Sequence, residues 1–300
     1  MAHGRHISIR AVAALALCIL SCPAPRAQSA ASNKLADSSL AALVSGLKSK
    51  SKSLESSPAQ RRAYEAFLAA HKLAPAGVSY SDFVLVRIIF EATRDAGFWN
   101  MHWSITDKPP NSDEVWRQWK SVPRPAFTQK TATAECDELS ALFAFLAVRS
   151  GVKSAGLFWP YPNHTVAVWT VHPANAQAVR VVVPTSQIFL TEDDTFDTKK
   201  FDPWRQKTIY DYTRRDVADS FELPKPLFDF FLSQLDKYAG ASTEALQQLR
   251  NLRDSVFQRT LTPEAASREA LRRSAAYSSS AEDRAAFQSF AQDMRSSSAN

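Results

Sequence analysis

The sequence predicts an α+β protein in which a small antiparallel sheet lies between two long helical regions. Apolar residues recur at helical spacing through most of residues 33–125 and again after residue 203. Residues 152–183 instead hold short runs of Val and aromatic residues separated by Pro and Asn, as in strands joined by turns. The chain has 300 residues, of which 45% are hydrophobic, and can therefore bury a full core. Its 7 glycines are too few for an all-β protein rich in tight turns.

Residues 1–29 have the organisation of a cleaved bacterial signal peptide. A basic stretch without acids precedes an apolar run, Ala11 to Leu20, that is too short to span a bilayer. Small residues at Ala27 and Ser29 suit a signal peptidase, which predicts a periplasmic or secreted protein. A second interpretation is open, because the sequence ending at Cys22 resembles a lipobox, and cleavage there would leave a lipid anchor on Cys22.

The predicted leader determines how many free cysteines the mature protein keeps. The chain has three cysteines, and either cleavage removes Cys18 and removes or lipidates Cys22. Cys136 is then the single thiol of an exported protein, where cysteines usually occur as disulfide pairs. We therefore expect a role for Cys136 other than cross-linking, and nucleophilic catalysis is the candidate.

The charge distribution argues against nucleic-acid binding. Three arginines of the leader supply half of the net charge of +6, and the remaining Lys and Arg residues are scattered rather than clustered with aromatic residues. The acidic cluster at residues 192–194 lacks neighbouring ligands at metal-binding spacing. We expect no nucleic-acid partner, no metal and no cofactor.

The region from residue 30 to 125 is predicted to be a helical N-terminal part. Ser81-Asp82 can cap a helix from Phe83 to Ala96, and the polar stretch from Lys48 to Ser57 is interpreted as a linker or frayed end. The segment from Phe98 to Pro125 is crowded with aromatic residues, which serve either as packing between a helix and the sheet or as the wall of a substrate groove. Two further helices are predicted, over the leucines 35, 40, 43 and 47 and over Pro58 to Leu73.

The central part, residues 126–202, carries the predicted core. Thr133 can cap a helix that Gly151 ends, with one apolar face formed by Leu139, Leu142, Phe143, Leu146 and Ala147. Strands are predicted over residues 152–159, 164–171 and 178–183. Residues 203–300 form a helical C-terminal part that either packs on the core or provides a partner surface, with helices over residues 223–238, 242–258, 263–277 and 281–294.

Cys136 and His164 are the candidate nucleophile and general base. Cys136 falls in the first turn of the predicted helix, whose dipole favours a thiolate, and an imidazolium at His164 would favour it further. The acidic residues on either side of the thiol, Glu135, Asp137 and Glu138, oppose this effect.

The order of these elements resembles the transglutaminase-like superfamily, which is related to papain-type thiol proteases. The resemblance rests on Cys136 at a helix start, the strand from His164 to Trp169 and the sequence Val182-Val183-Pro184-Thr185, and it spans residues 130–187. It implies a nucleophile helix packed on an antiparallel sheet, with Cys136 as nucleophile and His164 as general base. The family often has Asp-Pro-Thr where this chain has Val183-Pro184-Thr185, and valine cannot orient the imidazole.

Two glutamines complete the candidate site. Gln187 is the first choice to replace the missing acid, with Thr185 and Ser186 on the same segment as alternatives, because papain-type enzymes use a neutral amide there. The backbone N–H of Cys136 is one candidate oxyanion donor, and by analogy with papain Gln129 is the second.

The leading hypothesis is an exported thiol enzyme that hydrolyses or transfers amide bonds of peptides, proteins or cell-wall peptides through a Cys136 thioester. The alternative is a catalytically impaired member of the same fold that binds a peptide or protein partner in the cell envelope. A third hypothesis is a helical envelope scaffold in which the strands are incidental.

Overall fold

The computed structural model describes residues 41–94, 101–104, 130–133, 136–162, 164–174, 176–185, 196–211, 225–277 and 279–298. Within them the protein is a mixed α+β structure, as the sequence predicts. The predicted leader, with Cys18 and Cys22, lies outside the described residues, as do Gln129, Gln187 and most of the aromatic segment from residue 98 to 125.

The N-terminal helices differ from the prediction at two points. Residues 41–54 form one helix, α1, so the expected linker after Lys48 is largely helical because Leu54 is buried on the same side as Leu47. Helix α2 spans Pro58–His71, and helix α3 spans Tyr80–Thr93. The cap of α3 is Ser79 rather than Ser81-Asp82, since its hydroxyl accepts a bond from the N–H of Asp82.

A four-stranded antiparallel sheet forms the centre of the molecule. Its order is β5-β4-β3-β6, with β3 at Ala155–Tyr161, β4 at His164–Val171, β5 at Val179–Val183 and β6 at Tyr210–Asp211. Strand β4 has the predicted bounds, whereas β3 begins three residues later than predicted and continues to Tyr161 through a register shift. A separate parallel pair joins β1, Met101–Ser104, to β2, Lys130–Thr133.

Helix α4, Cys136–Arg149, packs on β3 and β4, and α3 packs on α4. The predicted cap is wrong, because Thr133 is the last residue of β2 and lies too far from the helix start. The predicted end is confirmed: Gly151 follows the helix with a φ of +106°, a conformation that favours glycine.

The two faces of the sheet bury different side chains. Ala167 and Trp169 of β4 belong to the large core under α4, whereas Val166 and Val168 pack with Phe201 on the opposite face. This alternation follows from the two-residue period of a strand. Consecutive residues at the start of β4 therefore point to opposite sides of the sheet.

The C-terminal helices are those that the sequence predicts, within a few residues at each end. A buried ion pair joins this region to the N-terminal helices: the Arg250 guanidinium lies 2.7 Å from the Glu91 carboxylate, and both side chains are buried. The helices are α5 at Lys225–Tyr238, α6 at Thr243–Phe257, α7 at Pro263–Ala276 and α8 at Ala281–Ser298.

Candidate functional site

The start of α4, the start of β4 and the end of β5 meet at one end of the sheet. Cys136 is the first residue of α4, His164 is the first residue of β4, and Thr185 lies two residues after β5. All three side chains are buried. The fold therefore places the predicted nucleophile and the predicted base at the same end of the sheet.

The Cys136 sulfur is fixed against β4. The backbone N–H of Thr165 donates to Sγ with an N···S distance of 3.3 Å. A backbone donor of this kind favours the negatively charged form of the sulfur. The sulfur thus lies beside the peptide unit that joins Thr165 to His164.

Ser140 holds the start of α4 against both strands. Its hydroxyl donates to the carbonyl of Cys136 at 2.7 Å and also lies 3.2 Å from the carbonyl of Thr165. The Thr185 hydroxyl is 3.3 Å from the same Ser140 oxygen. One fully buried hydroxyl therefore connects the helix, β4 and the segment after β5.

His164 lies on the face of the sheet that carries Phe201. The two ring centroids are 6.0 Å apart, and the histidine is 4% exposed. Burial disfavours the imidazolium and lowers the pKa of His164 from 6.5 to about 4. The ring is therefore neutral near pH 7, which is the form that a general base requires.

The geometry limits how sulfur and imidazole can meet. Helix α4 packs on one face of the sheet, and the alternation of β4 places the His164 ring on the opposite face with Phe201. The two side chains can approach each other only around the end of the sheet, where β4 begins. This is the place where the Cys136 sulfur contacts the N–H of Thr165.

At Val183, where the resemblance predicts an acid, the structure has an apolar contact. Val183 is fully buried in the core under α4 and pairs with Ala167 of β4. Of the three sequence-predicted substitutes, Thr185 is described, and its hydroxyl lies near Ser140. Ser186 and Gln187 fall outside the described residues, as does the proposed oxyanion donor Gln129.

Sequence reasoning missed two residues of this site. Ser140 lies four residues after Cys136 on the apolar face of the helix, and a polar residue on such a face is a signal that its hydroxyl has a buried partner. Phe201 carries no comparable signal, because an isolated phenylalanine after a loop does not show which strand it will contact.

No helix within the described residues is both long and apolar enough to cross a membrane. Among the same residues, no group of three or more His, Cys, Asp or Glu side chains is arranged to hold a metal ion. No protein-family model, curated protein or solved structure matches this chain.

Proposed function

We propose that this protein is an exported thiol enzyme with a transglutaminase-like core, acting on amide bonds of peptides, proteins or cell-wall peptides. The observation that carries the proposal is the contact between the Cys136 sulfur and the backbone N–H of Thr165. It joins the first residue of a helix to the start of the strand that begins with His164. This is the arrangement expected for a nucleophile helix packed on an antiparallel sheet.

In the proposed reaction, Cys136 Sγ forms a bond to the amide carbonyl carbon while neutral His164 accepts the thiol proton. The tetrahedral intermediate collapses by breaking the C–N bond, and His164 returns the proton to the departing amine. Water hydrolyses the resulting thioester to a carboxylic acid, or a second amine attacks it to form a new amide. In both cases the thiol of Cys136 is regenerated.

The backbone supports the charge changes of this reaction. The N–H of Cys136 lies at the first residue of α4, where the N–H groups of a helix point outward from its end and can donate to a developing oxyanion. The N–H of Thr165 favours the thiolate before attack. Because Val183 offers no acceptor to orient the imidazole, we expect slow turnover compared with an enzyme that has a full triad.

Burial favours a second candidate function, a catalytically impaired relative that binds a peptide or protein partner. Reactive cysteines usually lie in partly exposed surroundings, whereas Cys136 is 7% exposed and His164 is 4% exposed. A substrate would have to enter by a movement at the end of the sheet. A protein that only binds its partner needs no such movement.

The two candidates differ in the reactivity of Cys136 toward iodoacetamide. For the thiol enzyme we expect native protein without its leader to be alkylated at Cys136 faster than the urea-unfolded chain at pH 7. The substitution His164→Gln should slow the native reaction by roughly tenfold or more, because general-base assistance contributes at least this much. His172→Gln is the matched control, since His172 is exposed on the turn after β4.

Equal alkylation rates in wild type and His164→Gln would refute the thiol enzyme, and so would slower alkylation of the native than of the unfolded chain. In that case the binding protein remains, and Cys136→Ala should leave partner binding unchanged.

A further inference from the structure

A second candidate site lies between α2, α3 and the segment that begins at Phe196. The cavity there has a volume of about 420 Å³, within the range of roughly 300–1,000 Å³ that small-molecule sites occupy. It shares no residue with the Cys136 site. Its apolar walls come from Ala63, Ala66, Phe67, Ala70, Phe83 and Phe196.

Both acidic residues that line this cavity already form ion pairs with basic side chains. The Glu91 carboxylate lies 2.7 Å from Arg250 Nη1, and Arg250, Arg94 and Arg87 together hold the pKa of Glu91 below its ordinary value despite its burial. Asp197 Oδ2 lies 2.6 Å from His71 Nε2 and 2.9 Å from Lys199 Nζ. Neither carboxylate offers an unshared charge to a cationic ligand.

Arg87 differs from these two carboxylates, because its direct hydrogen-bond partners are neutral. Its guanidinium lines the cavity and donates to two neutral oxygens, Gln60 Oε1 at 2.6 Å and Thr243 Oγ1 at 2.7 Å. Among the described residues, no carboxylate lies within ion-pair distance of Arg87, although Glu91 is one helical turn away. Glu91 acts on Arg87 only at longer range and is shared with Arg250 and Arg94, so a half-buried guanidinium whose direct hydrogen-bond partners are neutral oxygens still favours an anion.

The aromatic residues of the cavity indicate that its ligand has an apolar part. Phe83 packs against Phe67 and Phe196, with ring centroids 5.1 Å and 5.9 Å apart. The Arg87 guanidinium lies 5.7 Å from the Phe83 ring centroid, so the cationic group adjoins this apolar wall. An occupant therefore needs an anionic group and an apolar body next to each other.

We propose that this cavity binds a small amphipathic carboxylate, with its anionic group on Arg87 and its apolar body on Phe67, Phe83 and Phe196. The small side chains of Ala63, Ala66 and Ala70 leave the space on α2 that such a body fills. Arg87 keeps its two neutral partners and gains a counter-ion. This site does not depend on the activity of Cys136.

Octanoate and its neutral analogue octanamide test the proposal by isothermal titration calorimetry. We expect the wild type to bind octanoate at least tenfold more tightly than octanamide, because a charge-assisted hydrogen bond is stronger than a neutral one. Arg87→Gln should remove this preference. Arg62→Gln, which changes an exposed arginine of α2, should retain it.

Ala66→Leu is a second variant that reduces the volume and leaves every charge in place. Because Ala and Leu are both strong helix formers, α2 should remain intact while both ligands bind more weakly. Undetectable binding of octanoate at millimolar concentration would overturn the proposal. Equal affinity of the wild type for the two ligands would also overturn it, whether or not Arg87→Gln folds.

Discussion

The depressed pKa of His164 predicts that the protein loses stability in mild acid through this one side chain. In the unfolded chain the imidazole binds a proton as the pH falls below 6.5, whereas in the folded protein it does so only near pH 4. Between these values the unfolded state binds more protons, so the free energy of unfolding falls as the pH falls. The contribution is near zero at pH 7 and is fully developed below pH 4.

The pKa difference sets the size of this effect. One pKa unit corresponds to about 1.4 kcal/mol, so the difference between 6.5 and about 4 gives a total of about 3–4 kcal/mol below pH 4. Linkage over the narrower interval from pH 7 to pH 5 gives a loss of about 2 kcal/mol. His164→Gln keeps a polar side chain at this position and removes the titration.

Urea unfolding at pH 7 and pH 5 measures the effect. The unfolding free energy of the wild type should fall by about 2 kcal/mol more than that of His164→Gln, because every other titrating group is common to both proteins. His172→Gln is the matched control, and its pH dependence should parallel that of the wild type. If His164→Gln and the wild type lose the same stability between the two pH values, His164 is not buried as a neutral imidazole in solution.

Two further predictions concern the support of the candidate site. Ser140→Ala should destabilise the protein by about 1–3 kcal/mol in urea unfolding, because the Thr185 hydroxyl and the Thr165 carbonyl lose a buried partner. Ser255→Ala, which removes a similar but solvent-exposed bond within α6, should cost less, and equal losses would contradict the role given to Ser140. Gly151→Ala should lower the stability by about 1 kcal/mol, because a φ of +106° is unfavourable for alanine. A steric clash does not contribute, since the nearest atom to an added Cβ is Lys48 Nζ at 4.0 Å. An unchanged unfolding midpoint would show that the helix ends differently.

The features that the sequence predicted well are those decided by neighbouring residues. The bounds of β4 follow from its Val-rich run between two turns, and the end of α4 follows from Gly151. The C-terminal helices begin near Ser242 and Pro263, which carry strong local start signals. Each of these predictions needed only a few adjacent positions.

The features that the sequence did not predict depend on distant partners. Its neighbours in the sequence predict Thr133 to be a helix cap, but Thr133 pairs with Ser104 between the parallel strands β1 and β2. The polar residues after Lys48 predict a linker, but the chain is helical to residue 54 because Leu54 packs in the core. The cavity beside Arg87 needs the contact between α2 and the segment at Asp197, 126 positions away from His71.

The ion pair between Glu91 and Arg250 has a consequence for the order of folding. The two residues are 159 positions apart, so Glu91 lacks this ion pair until the chain has been synthesised as far as residue 250. Contacts of this separation slow folding, because a long loop must close before they stabilise anything. An N-terminal fragment that ends before Arg250 would leave Glu91 without this ion pair, which disfavours premature compaction. A protein that must cross a membrane before it folds, as we propose for this one, benefits from such a delay.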